Sequence, residues 1–271
     1  MTSARSEAEE REGIDIEAEI TRLGKLHIIE VPKMDEFHTW LDGKRLQRRS
    51  CRVVGESRTG KSLNCDTYSV KRSVPQLPGH PPNRPVIYWQ CPESLSASGL
   101  FTGLLQHLHY QAIRGRNPEL RERFYQVLRS TQVEMIILDE AHRISIKALS
   151  EIRDISDLLE ISVVLVGTDR LNTLLGQDEQ NHYRFLATYR FMRLTAEELQ
   201  DMTMLWEEHV LRMPEASKLS SARAQNMLLP ATQGYIGLLD QILCEAATQA
   251  IQQGQSHIGL DLLKKVILQL S

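Results

Sequence analysis

The segment Gly55-Glu56-Ser57-Arg58-Thr59-Gly60-Lys61-Ser62 constrains this chain more than any other feature of its sequence. It follows an apolar run at residues 51–54 and precedes residues 63–70, whose pattern predicts a helix. In the form G-x-x-x-x-G-K-[ST], two glycines let the backbone curl so that its N–H groups face phosphate oxygens. The helix behind the loop adds its positive N-terminal end. The segment therefore predicts a phosphate-binding loop between a strand and a helix.

The positions of this loop suit a nucleoside triphosphate with a divalent cation. We expect residues 55–63, through Leu63, to bind the nucleotide. Lys61 would contact the β and γ phosphates, and the Ser62 hydroxyl would bind Mg²⁺. ATP and Mg²⁺ are the expected cofactors.

Apolar segments alternate with stretches of helical periodicity up to residue 194, which predicts an α/β fold with a parallel sheet. The predicted strands are residues 51–54, 86–89, 134–140, 162–167 and 189–194. Helical stretches include residues 100–113 and 171–187, and after residue 194 only helices are predicted. A capping box, Thr195-Ala196-Glu197-Glu198, opens that part. The expected organisation is a disordered tail (1–13), a nucleotide-binding domain with N-terminal helices (14–194) and a small helical lid (195–271).

Polar residues follow two of the predicted strands at the end where open α/β sheets bind ligands. Asp139 and Glu140 end an apolar strand, and Thr168 follows the next one. We expect Asp139 to hold Mg²⁺ through water, Glu140 to polarise the attacking water, and Thr168 to sense the γ-phosphate. A simple turn after Gly167 is the alternative for Thr168.

Two arginines lie beyond the fourth strand, at positions from which an oligomeric ATPase could reach a neighbouring site. Such an arginine neutralises transition-state charge and accelerates hydrolysis by about 10³–10⁵. Arg184, near the end of a predicted helix, is the first candidate, and Arg190, beside the fifth strand, is the second. An ordinary surface salt bridge is the alternative for either.

Composition excludes several classes of protein. No run of about 18 apolar residues is present, so we expect no membrane span and a cytoplasmic location. The four cysteines form no CxxC pair, and His107 and His109 would point apart on a helix, which argues against a zinc site. The net charge of −3 gives no sign of nucleic-acid binding, although arginines cluster at residues 44–52 and 114–129.

The sequence resembles the TniB/TnsC family of AAA+ ATPases, the regulators of Tn7-like and CRISPR-associated transposons. The segments that carry the resemblance are residues 40–45, 50–62, 164–171 and 234–237. It implies a five-stranded AAA+ core with a helical lid. It also implies bacterial subunits that stack with ATP into a helical filament or ring on double-stranded DNA. The assembly would recruit a DDE transposase and meet a TniQ-type target selector or an RNA-guided effector.

The resemblance also suggests which residues contact DNA. The family uses loops and helix ends between the second strand and the carboxylate strand. Here that region offers Arg114, Arg116 and Ser98, with Lys147 and Arg153 as further candidates. Contacts of this kind to backbone phosphates would not be sequence-specific.

One lid position departs from the AAA+ pattern. AAA+ lids often carry an arginine that touches the γ-phosphate. In this sequence the corresponding position is Leu238, in the segment Gly234-Tyr235-Ile236-Gly237-Leu238. We therefore expect slow hydrolysis without partners.

Two other functions remain open from the sequence. Asp139-Glu140-Ala141-His142 spells the DEAH signature of a helicase superfamily, but that function needs two RecA-like domains, and here only helices follow residue 194. The second alternative is a scaffold that coats DNA with bound ATP and does not hydrolyse it.

Overall fold

A computed structural model describes residues 16–79, 82–111 and 113–270 and divides into two compact units. One unit spans Glu30–Met192 and contains every strand found in the described residues. The other joins the described residues up to Ile29 to those from Arg193 onward, and it is helical. The predicted disordered tail, residues 1–13, lies outside the described residues.

The first unit is built on a five-stranded sheet in the order β2-β3-β4-β1-β5, and all four strand pairs are parallel. The strands are β1 (Cys51–Gly55), β2 (Val86–Gln90), β3 (Met135–Asp139), β4 (Ser162–Gly167) and β5 (Thr188–Phe191). This confirms the predicted α/β fold. Because β4 lies between β1 and β3, the carboxyl ends of these three strands meet at one edge.

Twelve α-helices are found in the described part of the chain. The first six are α1 (Ile16–Leu23), α2 (Pro32–Leu46), α3 (Lys61–Lys71), α4 (Ala97–His107), α5 (Asn117–Ser130) and α6 (Ile146–Leu159). The others are α7 (Arg170–Leu175), α8 (Glu179–Arg184), α9 (Ala196–Trp206), α10 (Ala222–Thr232), α11 (Ile236–Gln252) and α12 (Leu260–Leu270). None of them combines the length and apolar character that a membrane crossing requires.

The central strands β3 and β4 are buried on both faces. Successive side chains of a strand point in opposite directions, so each of these strands contributes to two cores. Ile136 and Leu138 of β3 belong to a core shared with residues of α4, α5 and α6. Met135 and Ile137 alternate with them and pack in a second core with Phe37 of α2. The unbroken apolar runs of β3 and β4 therefore follow from their central places in a covered parallel sheet.

The predicted helix over residues 100–113 was wrong at its end, because α4 stops at His107. His109 adopts φ 60°, and the N–H of Tyr110 donates to the Leu105 carbonyl at 2.9 Å. The His109 N–H donates to the Gln106 carbonyl at 2.9 Å, which completes a Schellman motif. The usual sequence signal for this motif is glycine, and here a histidine takes its place.

The helical stretch predicted over residues 171–187 is two short helices, α7 and α8. The carboxylate of Asp178 accepts the N–H of Gln180 at 2.8 Å and so caps α8. The capping interaction favours a new helix start over a continuous helix.

In the helical unit, the predicted capping box is confirmed: Thr195 and Glu198 each accept the other's backbone N–H at the start of α9. Helix α1 packs against α11, and Arg22 donates to the carbonyls of Val210 at 2.5 Å and Leu211 at 3.1 Å. The contacts thus group α1 with the C-terminal helices. The domain boundary proposed after residue 194 stays a prediction.

Candidate nucleotide-binding site

Two glycines shape the loop between β1 and α3. Gly60, which precedes α3, adopts φ 90°, a conformation that a side chain disfavours. A Cβ on Gly55 would lie 2.6 Å from the carbonyl oxygen of Phe191 on β5. The first glycine is thus required by the neighbouring strand and the second by the turn into the helix.

Lys61 lies inside this loop, with only 7% of its surface exposed. Its Nζ donates to the Glu56 carbonyl at 2.5 Å and lies 3.5 Å from Thr59 Oγ1. Burial lowers the pKa of Lys61, while the charges of Asp139 and Glu140 act in the opposite direction. The cation is therefore positioned by the loop, within the electrostatic influence of the two predicted carboxylates.

Asp139, at the end of β3, is 1% exposed and accepts hydrogen bonds on both oxygens. Its Oδ1 accepts the Glu140 N–H at 2.8 Å, and its Oδ2 accepts the Tyr88 hydroxyl at 2.7 Å. Burial raises the pKa of Tyr88, the bond to Asp139 raises it further, and an interaction with Ser62 opposes the shift. One tyrosine hydroxyl thus interacts with both predicted Mg²⁺ ligands and is hydrogen-bonded to Asp139.

Tyr88 was not predicted from the sequence. It lies on β2, which pairs with β3, and its register partner is Ile137. A tyrosine in an otherwise apolar strand is a signal for a polar partner, since a buried hydroxyl usually finds one. Identifying that partner required knowing that β2 lies beside β3.

Glu140 follows Asp139 in the left-handed region, with φ 53° and ψ 37°. A residue other than glycine in this region costs of order 1–3 kcal/mol, and such residues cluster at functional sites. The Glu140 Oε2 atom lies 3.4 Å from His142 Nδ1, a contact that lacks hydrogen-bond geometry. The backbone therefore leaves the direction of β3 at Glu140.

Thr168 follows β4, directly beside the end of β1. Its Oγ1 is buried and has no hydrogen-bond partner among the described residues. A buried polar group without a partner costs about 1–3 kcal/mol. The hydroxyl is thus available to a ligand or a water molecule at this edge of the sheet.

The two arginine candidates lie in different surroundings. Arg184, the last residue of α8, forms an ion pair with Asp157 of α6. Arg190 lies on β5 opposite Val54 and donates to both oxygens of Asp169, at 3.0 and 3.3 Å. The Arg190 hydrogen bond lowers the pKa of Asp169, and Lys61 contributes to the same shift. Arg190 therefore belongs to the same edge of the sheet as the loop.

The predicted DNA contacts fall into two groups. A backbone bridge pairs Leu95 with Ile144, so the first turns of α4 and α6 begin side by side. Ser98 in one turn and Lys147 in the other are both exposed.

The second group lies beyond the end of α4. The Arg114 carbonyl accepts a hydrogen bond from Arg123 at 3.1 Å. The Arg116 side chain is 90% exposed and lies 3.5 Å from Glu119. Arg153, the further candidate, donates to Gln180 at 2.7 Å.

In the helical unit, Leu238 lies in the first turn of α11 and is half-buried. The guanidinium of Arg193 lies 4.4 Å from the centre of the Tyr235 ring. This stacking is a cation–π contact. Among the first three residues of α11 there is no arginine.

The residues at the strand ends fit a magnesium nucleotide. The loop supplies backbone amides and a buried ammonium group, Ser62 and Asp139 supply oxygen ligands of the kind Mg²⁺ prefers, and Thr168 supplies an unpaired hydroxyl. The fold and this arrangement define an AAA+ P-loop ATPase.

Solved structures of AAA+ proteins share the fold. The chain is similar to Cdc6p from Pyrobaculum aerophilum (TM-score 0.70, 18% identity, 91% of this chain and 69% of that one). It is also similar to ORC2 from Aeropyrum pernix in its ADPNP-ADP complexes (0.69, 13%, 91% and 71%). A third similar structure is A. pernix ORC1 in complex with DNA (0.64, 13%, 93% and 69%). At these identities the likeness establishes the fold alone.

A family model described as bacterial TniB protein matches residues 26–192, more than half of the chain. The chain belongs to the TniB family of AAA+ ATPases, which are encoded by Tn7-like transposons. No curated protein sequence matches it. The resemblance seen in the sequence is thereby confirmed at the level of the family.

Proposed function

We propose that this protein is a transposition regulator that binds ATP with Mg²⁺ and assembles on double-stranded DNA. The observation that carries the proposal is that the loop with Lys61, the carboxylate of Asp139 and the hydroxyl of Thr168 follow or end three adjacent strands, β1, β3 and β4, at their shared carboxyl edge. Membership of the TniB family supplies the link to transposition.

Each residue of the site has a role in this proposal. Backbone amides of residues 55–62 and the N-terminus of α3 hold the phosphates, and Lys61 neutralises their charge. Ser62 and Asp139 hold Mg²⁺, which when bound offsets charge on the phosphate oxygens. Glu140 accepts a proton from the attacking water, and Thr168 contacts the γ-phosphate or that water.

Assembly would use a heterologous contact between subunits, since such contacts generate open helices when the rotation does not close. Arg184, the last residue of α8, is our candidate for the arginine that reaches the neighbour. It pairs with Asp157 of α6, whereas Arg190 pairs with Asp169 beside the loop of its own subunit. Nucleotide at that contact would couple assembly to its phosphate state.

DNA would bind through its backbone. The exposed Ser98 and Lys147 in neighbouring helix turns support a contact at the carboxyl edge of the sheet, with Arg114 and Arg116 as further contributors. Such contacts fix position without reading sequence. The assembled protein would then recruit a DDE transposase and meet a TniQ-type selector or an RNA-guided effector.

We propose that hydrolysis is slow without partners, because the sequence has Leu238 at the lid position where AAA+ proteins often carry an arginine. A turnover well above about 1 per second for the isolated protein, within the common enzyme range, would contradict this part of the proposal.

Electron microscopy of the protein with duplex DNA tests the assembly, with and without a non-hydrolysable ATP analogue. We expect filaments or rings only with the analogue, their loss in Lys61→Ala, and their retention in Lys264→Ala, an exposed lysine of α12. Glu140→Gln should assemble with ATP and not hydrolyse it. Assembly without nucleotide would overturn ATP control, and strand separation in an unwinding assay would favour the helicase.

A further inference from the structure

Three side chains with different metal-binding atoms meet in the helical unit. Atoms of His27, Asp240 and Cys244 all lie within 4.8 Å of one another. His27 Nδ1 lies 3.6 Å from Asp240 Oδ1, and Cys244 Sγ lies 3.4 Å from the same oxygen. With metal–ligand bonds of about 2.0–2.3 Å, tetrahedral zinc places its ligand atoms about 3.3–3.6 Å apart. Two of the three separations, those from Asp240 to His27 and to Cys244, agree with that spacing.

The orientation of His27 points to a cation. Its Nε2 lies 3.2 Å from the Arg22 carbonyl, which can only accept, so Nε2 carries the proton. In the neutral ring, Nδ1 then presents a lone pair towards a carboxylate oxygen. This nitrogen is buried and has no hydrogen-bond partner among the described residues. A metal ion between the two atoms would give this nitrogen a partner.

The same contacts supply the outer support that metal ligands usually have. The Arg22 carbonyl fixes the ring of His27, and the indole Nε1 of Trp206 donates to Asp240 Oδ1 at 2.9 Å. Cys244 lies one helical turn after Asp240 on α11, so both side chains project from the same face. The cluster is therefore held in place from three elements of one unit.

The proton on the Cys244 thiol opposes metal binding, because the thiolate is the form that binds a metal ion. Burial and the neighbouring Asp240 raise the pKa of Cys244 to about 12. The protonated thiol donates to Asp240, and a bound zinc ion would displace that proton to solvent.

We propose that His27, Asp240 and Cys244 form a zinc site with water as the fourth ligand. Nitrogen, oxygen and sulfur ligands together suit Zn²⁺ better than Mg²⁺ or Ca²⁺, which take oxygen. The site fastens the segment after α1 to α11, so zinc binding stabilises the helical unit. The cysteine spacing gave no sign of it because the ligands are 213 residues apart (240 − 27) and meet only in the fold.

Cobalt titration of the full-length protein tests the site, because Co²⁺ in a tetrahedral thiolate site absorbs in the visible and shows a sulfur charge-transfer band. We expect one equivalent to bind with both features, and Zn²⁺ to displace it. Cys244→Ala and His27→Gln should each lose the charge-transfer band or weaken binding at least tenfold. His257→Gln is the matched control, because His257 also lies 3.6 Å from a carboxylate, that of Glu215. This variant should bind Co²⁺ normally, since His257 is not one of the three proposed ligands.

A measurement on the unaltered protein covers the case in which a variant does not fold. All four cysteines are described, and Cys244 is the one that is not fully buried. Zn²⁺ should slow its alkylation by iodoacetamide at least tenfold and raise the melting temperature, and a chelator should reverse both. Absence of the charge-transfer band, or equal alkylation with zinc and chelator, would show an ordinary His27–Asp240 ion pair and overturn the proposal.

Discussion

The Tyr88 hydroxyl donates a 2.7 Å hydrogen bond to Asp139 Oδ2, and Ser62 acts on the pKa of the same hydroxyl. The tyrosine is therefore a neighbour of both residues that we expect to hold Mg²⁺. Because Asp139 is almost fully buried, its orientation depends on the donors that surround it. Tyr88 is thus a positioning residue for the proposed metal site.

Tyr88→Phe should raise the Mg²⁺ concentration needed for nucleotide binding by about 10–100-fold, since loss of an outer-shell partner has that effect on metal sites. The measurement is fluorescent ATP-analogue binding at a series of Mg²⁺ concentrations, with binding at saturating Mg²⁺ largely restored. Tyr125→Phe is the control, because the hydroxyl of this buried tyrosine also forms a hydrogen bond, which it accepts from Arg121. An unchanged Mg²⁺ dependence would show that Tyr88 has no positioning role.

The loop and the carboxylates were predictable because they are local in sequence. Gly60-Lys61-Ser62 and Asp139-Glu140 each combine a strand pattern with polar residues in consecutive positions. Tyr88 was not predictable, since its role depends on β2 lying beside β3, and strand order follows from packing of the whole sheet. The end of α4 was missed because His109 takes the left-handed conformation normally signalled by glycine.

Thr168→Val should separate stability from catalysis. The Thr168 Oγ1 atom is buried without a partner among the described residues, so an isosteric methyl group should leave stability unchanged or slightly raised. Hydrolysis should fall by about 10²-fold if the hydroxyl contacts transition-state charge. Urea unfolding and ATP turnover are the two measurements.

Thr67→Val is the matched control for that substitution. The Thr67 hydroxyl, in the middle of α3, is also buried and has no partner in the described part of the chain. This variant should resemble Thr168→Val in stability and retain turnover. Equal turnover in the two variants would remove Thr168 from the proposed mechanism.

The two arginines should act in different subunits. Arg190→Ala removes the partner of Asp169 beside the loop, so it should weaken nucleotide binding within its own subunit. Arg184→Ala should leave binding intact and lower turnover of assembled protein by about 10³-fold or more.

Mixing experiments distinguish the two effects. Glu140→Gln subunits supply an intact Arg184 but cannot hydrolyse ATP, whereas Arg184→Ala subunits retain their own Glu140. If Arg184 acts on a neighbour, mixtures of these two inactive variants should recover turnover at their shared contacts. Mixtures that stay inactive, although they assemble normally, would show that Arg184 does not act across the contact.

An ion-pair network joins α2 to α3 around Asp42. Its carboxylate accepts hydrogen bonds from Tyr68 at 2.9 Å, from Arg45 at 3.1 Å and from Arg72. Burial acts to raise the pKa of Asp42, but these donors lower it from 3.8 to about 2. The folded protein thus binds a proton at this group less readily than the unfolded chain does.

The sign of the pH dependence follows from that lowered pKa. Asp42 contributes stability above about pH 4 and loses the contribution as the pH falls towards 2, so Asp42→Asn should destabilise by about 2 kcal/mol at pH 7 and less at pH 3. Urea unfolding at both pH values measures this. Asp35→Asn, on the same helix but 68% exposed and 3.9 Å from Lys71, should change stability little at either pH. If Asp42→Asn shifts unfolding equally at pH 7 and pH 3, the network does not depend on the charge of Asp42.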